Sequence, residues 1–288
     1  MQAAPVKRII GSSFALALLV TAICAHGEIS ATNEVLPGVR IYSETRTNPP
    51  THLFVAEVDL KNPKLHLRVS RGGPDPDGDG TWQTTLLQPT KIAAREKFDF
   101  VVNGDFFIAK GVNDGEGTNA AFRAAQWARV EGPAMTDGET WSIATNARPA
   151  LVIHKDHSAT IEALKQPAKD DWEVIGGNAI LVRDGVVVPH NKATARHPRT
   201  VAGLDATGNK LILLLVDGRK PGVAIGMTYD EEAAEMLRLG CRQALNFDGG
   251  GSSVMAVREA GELKILNEPT DGRERAVGNV LGITVDQK

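Results

Sequence analysis

The residues with the greatest chemical potential lie in one short run, Asp248-Gly249-Gly250-Gly251-Ser252-Ser253, directly after Asn246-Phe247. Three successive glycines carry no side chains, so backbone N–H groups there can approach a ligand closely and form a concave anion nest, with the Asp248 carboxylate at its rim. The same spacing suits a tight hairpin or bulge in which Asp248 caps backbone amides. A strand pattern rather than a helix follows the run, so it is not a Walker-type phosphate loop. Ser252 and Ser253 also lie outside a G-x-S-x-G elbow, which argues against a serine hydrolase.

Other polar groups stand at predicted strand ends. Phe100-Val101-Val102-Asn103 reads as a buried strand emptying into Gly104-Asp105-Phe106-Phe107. Asn103 and Asp105 then emerge where sheet proteins often keep a site, and Phe107 is either a pocket wall or a core residue beneath a turn. His197-Pro198-Arg199-Thr200 and Val216-Asp217-Gly218-Arg219 bracket one predicted hairpin, making Arg199 and Arg219 candidate anion clamps and Asp217 a second carboxylate. Arg273 and Arg275 share a face if extended, with Glu274 on the other, and a guanidinium fork matches phosphate geometry. Surface ion pairing is the competing account for each arginine.

Metal chemistry has less support. Asp75-Pro76-Asp77-Gly78-Asp79-Gly80 matches the opening of a calcium loop, but Leu86 occupies the place of the bidentate Glu. Asp75, Asp77 and Asp79 therefore form either a partial calcium (Ca) site or a solvated acidic loop. His154 and His157 lack a third zinc ligand.

The elements that must hold these groups are mostly strands. Leu65, Leu67 and Val69 alternate with Lys64, His66 and Arg68, which describes a half-buried strand. Hairpins are predicted across Asp184-Gly185, across Gly208-Asn209, and across Glu259 to Glu262, each between apolar runs. A helix starts at Thr228, where Thr228 and Glu231 form a capping box, and stops at Gly240; Tyr229, Ala233, Met236 and Leu237 give it one apolar stripe. A second helix is predicted over Thr84 to Lys97, with Pro89 interrupting its first turn, and Gly72 to Gly80 reads as a surface loop. The expectation is an α+β fold: a mixed, largely antiparallel β-sheet core with several hairpins and a few packed helices.

Lys7 and Arg8 precede an apolar run from Ile9 to Cys24, then small and polar residues. That order predicts a signal peptide over residues 1–27, an exported protein (periplasmic or extracellular), and one domain over residues 28–288. No later stretch approaches the roughly 20 apolar residues of a membrane span, so no stable membrane insertion is expected once the peptide is removed. Removal near Ala25 or Gly27 leaves Cys241 without a disulfide partner. A formal charge of −3 and a pI of about 6.2 argue against a nucleic-acid surface, so an anionic ligand must meet a local cationic cluster.

Taken together, Asn103 to Phe107, Arg199-Thr200, Asp217 to Arg219, Gly226-Met227-Thr228, Asp248 to Ser253 and Gly272 to Arg275 resemble the phosphodiester glycosidase family, which includes the lysosomal uncovering enzyme. The likeness spans about residue 50 to Ile283. It implies hydrolysis of a sugar-1-phosphodiester on a phosphorylated sugar or glycan, in bacteria often an exopolysaccharide or cell-envelope glycan. Asp248 is then the essential carboxylate and Asp217 its alternative. Arg199 and the amides of Gly249, Gly250 and Gly251 hold phosphate. Asn103, Phe107, Arg219, Ser252, Arg273 and Arg275 complete the site. The family more often has two glycines before the paired phenylalanines; here Asp105 replaces the second, and a carboxylate pointing into the pocket would repel phosphate. A non-catalytic exported glycan-binding protein is the rival reading.

Overall fold

The computed structural model describes Met1 and residues 28–115, 121–190 and 194–286. Residues 2–27 of the expected export segment, Cys24 among them, lie outside the described part. Among the described residues every strand pairing is antiparallel, so the sheet is not mixed, and only two α-helices occur. β-structure therefore dominates more than the α+β expectation implied. No helix of the described residues is long and apolar enough to cross a membrane.

The largest sheet has nine strands, with Pro50–Asp59, Lys210–Val216, Arg199–Asp205, Cys241–Asn246 and Ala179–Arg183 side by side. Lys210–Val216 is a continuous apolar run because both of its faces are covered. Leu211, Leu213 and Leu215 enter the main core shared with the other sheets, while Ile212, Leu214 and Val216 pack in a second cluster with the helix Tyr229–Arg238. That helix has the predicted capping box, with Glu231 N donating to Thr228 Oγ1 at 3.3 Å, and ends at Gly240, whose φ is +88°. The other helix is shorter than predicted, Pro89–Glu96. Pro89 starts it rather than interrupting it, since a first-turn proline sacrifices no helical hydrogen bond; Thr84–Thr85 is a short strand. The three predicted hairpins all form, with Asp184-Gly185 and Ala260-Gly261 at positive φ in their turns.

A five-stranded sheet runs in the order Glu262–Ile265, Met255–Glu259, Phe100–Asn103, Asn279–Val285 and Leu65–Arg71. Leu65–Arg71 is its edge, and borrowed side chains cap that edge: Val69 N donates to Glu173 Oε2 (2.7 Å), and Val69 O accepts from Thr136 Oγ1 (2.8 Å). Blocking free backbone groups in this way discourages pairing with another chain. Glu173 and Thr136 belong to a further five-stranded sheet, and a three-stranded sheet carries Phe107–Ala109. The chain leaves the nine-stranded sheet at Asn246 and enters the first five-stranded sheet at Met255. The glycine run is thus a crossover between sheets, not the tight hairpin its local spacing also allowed.

Candidate active site

Asp248 is fixed by its backbone. Its N–H donates to Gly104 O at 2.9 Å, and its carbonyl accepts from Asn103 Nδ2 at 2.7 Å. Asn103 Oδ1 accepts from Thr200 Oγ1 (2.8 Å) and Val254 N (3.1 Å). The fully buried Asn103 amide therefore joins the crossover to strands of both sheets, and stands behind the site rather than lining it. A buried carboxamide with its hydrogen bonds made is a stabilising strut.

The glycine amides are largely spent on the turn itself. Gly249 N donates to Asp248 Oδ1 (2.8 Å), Gly250 N to Pro198 O (2.9 Å), and Ser252 N to Gly249 O (3.1 Å). The open nest anticipated from the sequence is therefore not presented by Gly249 and Gly250. What the missing side chains provide is room for arginines. At Gly250, whose φ is +63°, a Cβ would lie 3.0 Å from Arg219 Nη2. At Gly251 a Cβ would lie 2.5 Å from Asp271 Oδ2 and overlap the Arg275 guanidinium.

Arg275 is held by Asp271 (Nη2 to Oδ2, 2.9 Å) and lies 5.0 Å over the Phe122 ring. Phe122 in turn meets Phe107 edge-on at 5.2 Å, so Phe107 supports this stack from behind. Arg219 has no carboxylate partner in an ion pair among the described residues; its polar neighbour is His197 Nδ1, at 3.5 Å. Burial, Arg199 and Arg219 hold His197 below the usual imidazole range, leaving a neutral ring at neutral pH.

Burial pushes the Asp248 carboxyl up to about 6, against the pull of the Ser252 hydroxyl, the Gly249 amide and Arg275, while Glu131 pushes it further up. Ser252 Oγ is buried close by but has no partner of good hydrogen-bond geometry. A carboxylate that is ionised at neutral pH yet unusually basic, with Arg275 acting on it and Arg219 over the nearby Gly250, can accept a proton next to a bound anion.

Several residues singled out from the sequence face elsewhere. Arg199 is only 6% exposed, with Nε donating to Met227 O (3.0 Å) and pairing with Glu232 Oε1 (2.9 Å), and its guanidinium stacked 4.3 Å over Tyr229. Those partners leave it no face for a phosphate; burial holds Glu232 up to about 8 despite Arg199. Asp217, also buried, accepts from Asn267 Nδ2 (3.4 Å) and Glu268 N (3.2 Å) and faces His52 Nδ1 (3.2 Å), which makes it an internal anchor. Asp105 does not point into a pocket. Its oxygens accept from Phe106 N (2.7 Å) and Gly132 N (2.6 Å), and burial raises it to about 7.

Arg273 is exposed and shares with Arg275 the wall of a neighbouring cavity of about 510 Å3. Glu274 caps the helix Pro89–Glu96 through Thr90 N (3.0 Å). Asp75 accepts from Asp77 N (3.1 Å) and Gly78 N (2.9 Å), and Asp77 from Trp82 N (3.2 Å), so these carboxylates fold their own loop. Among the described residues no group of three His, Cys, Asp or Glu side chains could hold a metal ion.

Glu131, Arg148, Asp271 and Phe122 were not singled out from the sequence. Glu131 N donates to Phe106 O (2.9 Å), and its carboxylate pairs with Arg148. None of the four carries a local motif; Asp271 alone had a signal, four residues before Arg275.

A model of the family described as Phosphodiester glycosidase matches residues 96–284. An 89-residue stretch is 39% identical to the SPbeta prophage-derived protein YomE of Bacillus subtilis (strain 168), covering 31% of this chain and 13% of that protein. The fold is similar to a Synechocystis protein (TM-score 0.64, 14% identity, covering 89% of this chain and 64% of that one). It is also similar to the catalytic domain of zebrafish N-acetylglucosamine-1-phosphodiester alpha-N-acetylglucosaminidase, auto-inhibited by its pro-peptide (TM-score 0.62, 19% identity, covering 91% and 89%). On the family match, which takes in the strand before Asp248, the glycine crossover and both arginines that rest on it, the chain belongs to the phosphodiester glycosidase family.

Proposed function

We propose that this protein hydrolyses a sugar-1-phosphodiester, with Arg219 and Arg275 holding the phosphate and Asp248 activating the attacking water. The observation that carries this reading is the seating of two guanidiniums against Gly250 and Gly251, in the turn that begins at Asp248. A planar guanidinium matches phosphate oxygens, and Arg219 carries no competing carboxylate among the described residues. Water adds to the anomeric carbon, its proton passes to Asp248, and the bond from that carbon to the phosphate oxygen breaks to release a phosphate monoester. Such a leaving group needs little protonation, so cations carry more of the stabilisation than in an ordinary glycosidic cleavage.

The basic and apolar N-terminal pattern adds export to the reading, and with it an envelope or exopolysaccharide-type glycan as substrate. The test is sugar release from a GlcNAc-1-phosphodiester by the wild type and by Asp248→Asn. Loss of a proton acceptor predicts a fall of about 10^2–10^4-fold in kcat with unchanged folding. A folded variant with full activity refutes the assignment, and wild-type binding without turnover identifies a glycan-binding protein instead.

A further inference from the structure

We infer that Glu131 is the second carboxylate of the Asp248 site, stabilising the positive charge that develops on the anomeric carbon as the bond to phosphate breaks. This rests on the hydrolytic reading above and adds a residue to it. The geometry comes from one short stretch of backbone. Gly104 O accepts from Asp248 N and Phe106 O accepts from Glu131 N, each at 2.9 Å. Those two carbonyls are two residues apart, roughly 7 Å at most along the chain, so both acidic residues hang from the same segment.

Between the two anchors, Asp105 turns inward and is 1% exposed. Asp248 retains partial exposure, and the side chains of Glu131 and Arg148 are 35% and 28% exposed. Of the three carboxyls anchored to this segment, Asp105 is closed off from solvent, while Asp248 and Glu131 keep exposed surface. Hydrolysis at an anomeric centre generally employs two carboxylates around an oxocarbenium-like transition state. Here one accepts the proton from water. The other, paired with Arg148, forms no covalent bond and supplies negative charge where positive charge develops.

Glu131 also acts on Asp248 directly, since its charge disfavours a second ionised carboxylate nearby. The groups acting on Asp248 are the Ser252 hydroxyl, the Gly249 amide, Arg275 with its partner Asp271, and Glu131 with its partner Arg148, while Arg219 lies over the nearby Gly250. Removing the Glu131 charge therefore lowers the Asp248 pKa. Removing Arg148 leaves that charge uncompensated and cannot lower it. A Glu131 that is merely a charged neighbour gives the same titration shift but leaves kcat unchanged, so the kinetic comparison carries the catalytic assignment.

The experiment compares wild type, Glu131→Gln and Arg148→Gln on a panel of hexosyl-1-phosphodiesters across pH. In parallel, the Asp248 carboxyl is titrated by 13C NMR without substrate. Glu131→Gln is expected to lower kcat about 10^2–10^3-fold and to move the acid limb of kcat/KM, and the Asp248 titration, below about 6. Arg148→Gln moves the titration upward or leaves it in place. Turnover within threefold of wild type in Glu131→Gln, or an unmoved Asp248 titration in that variant, overturns the assignment of Glu131 alone. No wild-type turnover on any panel member overturns the hydrolytic reading and the catalytic role of Glu131 with it.

Discussion

Gly251→Ala separates two explanations of the glycine run. If the glycines serve to expose amides, a methyl group at Gly251 changes little, because positive φ is found at Gly250 and not at Gly251. If they make room for arginine, the methyl group collides with the side chains at its surface. It would lie 2.5 Å from Asp271 Oδ2, and the Arg275 guanidinium is closer still. Ordinary contact requires about 3.5 Å, so the Asp271–Arg275 pair must retreat by roughly 1 Å or more. A misplacement of about 1 Å can cost around 10^2-fold in rate, which corresponds to about 2.7 kcal/mol of transition-state stabilisation.

The fold should tolerate the change. Alanine at a compatible backbone angle stabilises by about 0.4–1 kcal/mol, which offsets part of the side-chain displacement. The expected outcome is kcat/KM down about 100-fold with a nearly unchanged unfolding temperature. The acid limb also moves above about 6, because Asp248 loses the favourable charge of Arg275. Steady-state kinetics with pH profiles, paired with thermal unfolding, provide the assay. Undiminished kcat/KM in a folded Gly251→Ala protein would show that Arg275 does not act from its seat on the glycine.

Above about pH 8, where Glu232 ionises beside its cation, Arg199→Met should destabilise the protein by about 3–5 kcal/mol, and by less at lower pH where Glu232 is protonated; adding Glu232→Leu should recover most of the loss in urea unfolding. Recovery failing in the double variant would mean that Arg199 matters through its other contacts. Stability should fall as pH rises from about 5 to 8.5. Asp105 and Glu173 sit at about 7 and about 8 in the fold, above their ordinary values, so their contribution is complete below the unfolded pKa and disappears as pH passes through the folded pKa. Urea midpoints that stay flat or rise over that range would contradict it. A chelator or added calcium should leave the unfolding temperature unchanged, since Asp75 and Asp77 already bind the amides of their own loop; a rise on adding calcium would restore the loop as a metal site.

What could be read from the sequence was local. The Thr228–Glu231 cap and the turns at Asp184-Gly185 and Gly208-Asn209 depend on neighbouring residues, and all formed where expected. The candidate site was legible as a place but not as an orientation. Arg199 and Arg219 stand at the start and just past the end of one hairpin, yet one is drawn inward by Glu232 and Tyr229 while the other lies over Gly250. A signal for the first did exist: Glu232 falls three residues after Tyr229 on the apolar stripe of its helix, and a carboxylate on a buried face demands a cation. Glu131 had no such signal, because long-range pairing, its own bond to Phe106 and that of Gly132 to Asp105, brings it to the same segment as Asp248.

The crossover has a consequence for how the protein fails. Asp248 belongs to the segment passing from one sheet to another, and Asn103 links that segment to Thr200 on one sheet and Val254 beside the other. The relative position of two sheets is therefore built into the placement of a single carboxylate. Any partial opening between them disperses Asp248, Arg219 and Arg275 before either sheet has unravelled. Heat inactivation would then precede loss of β-structure, and ligands that span the arginines would clamp the sheets together and delay both.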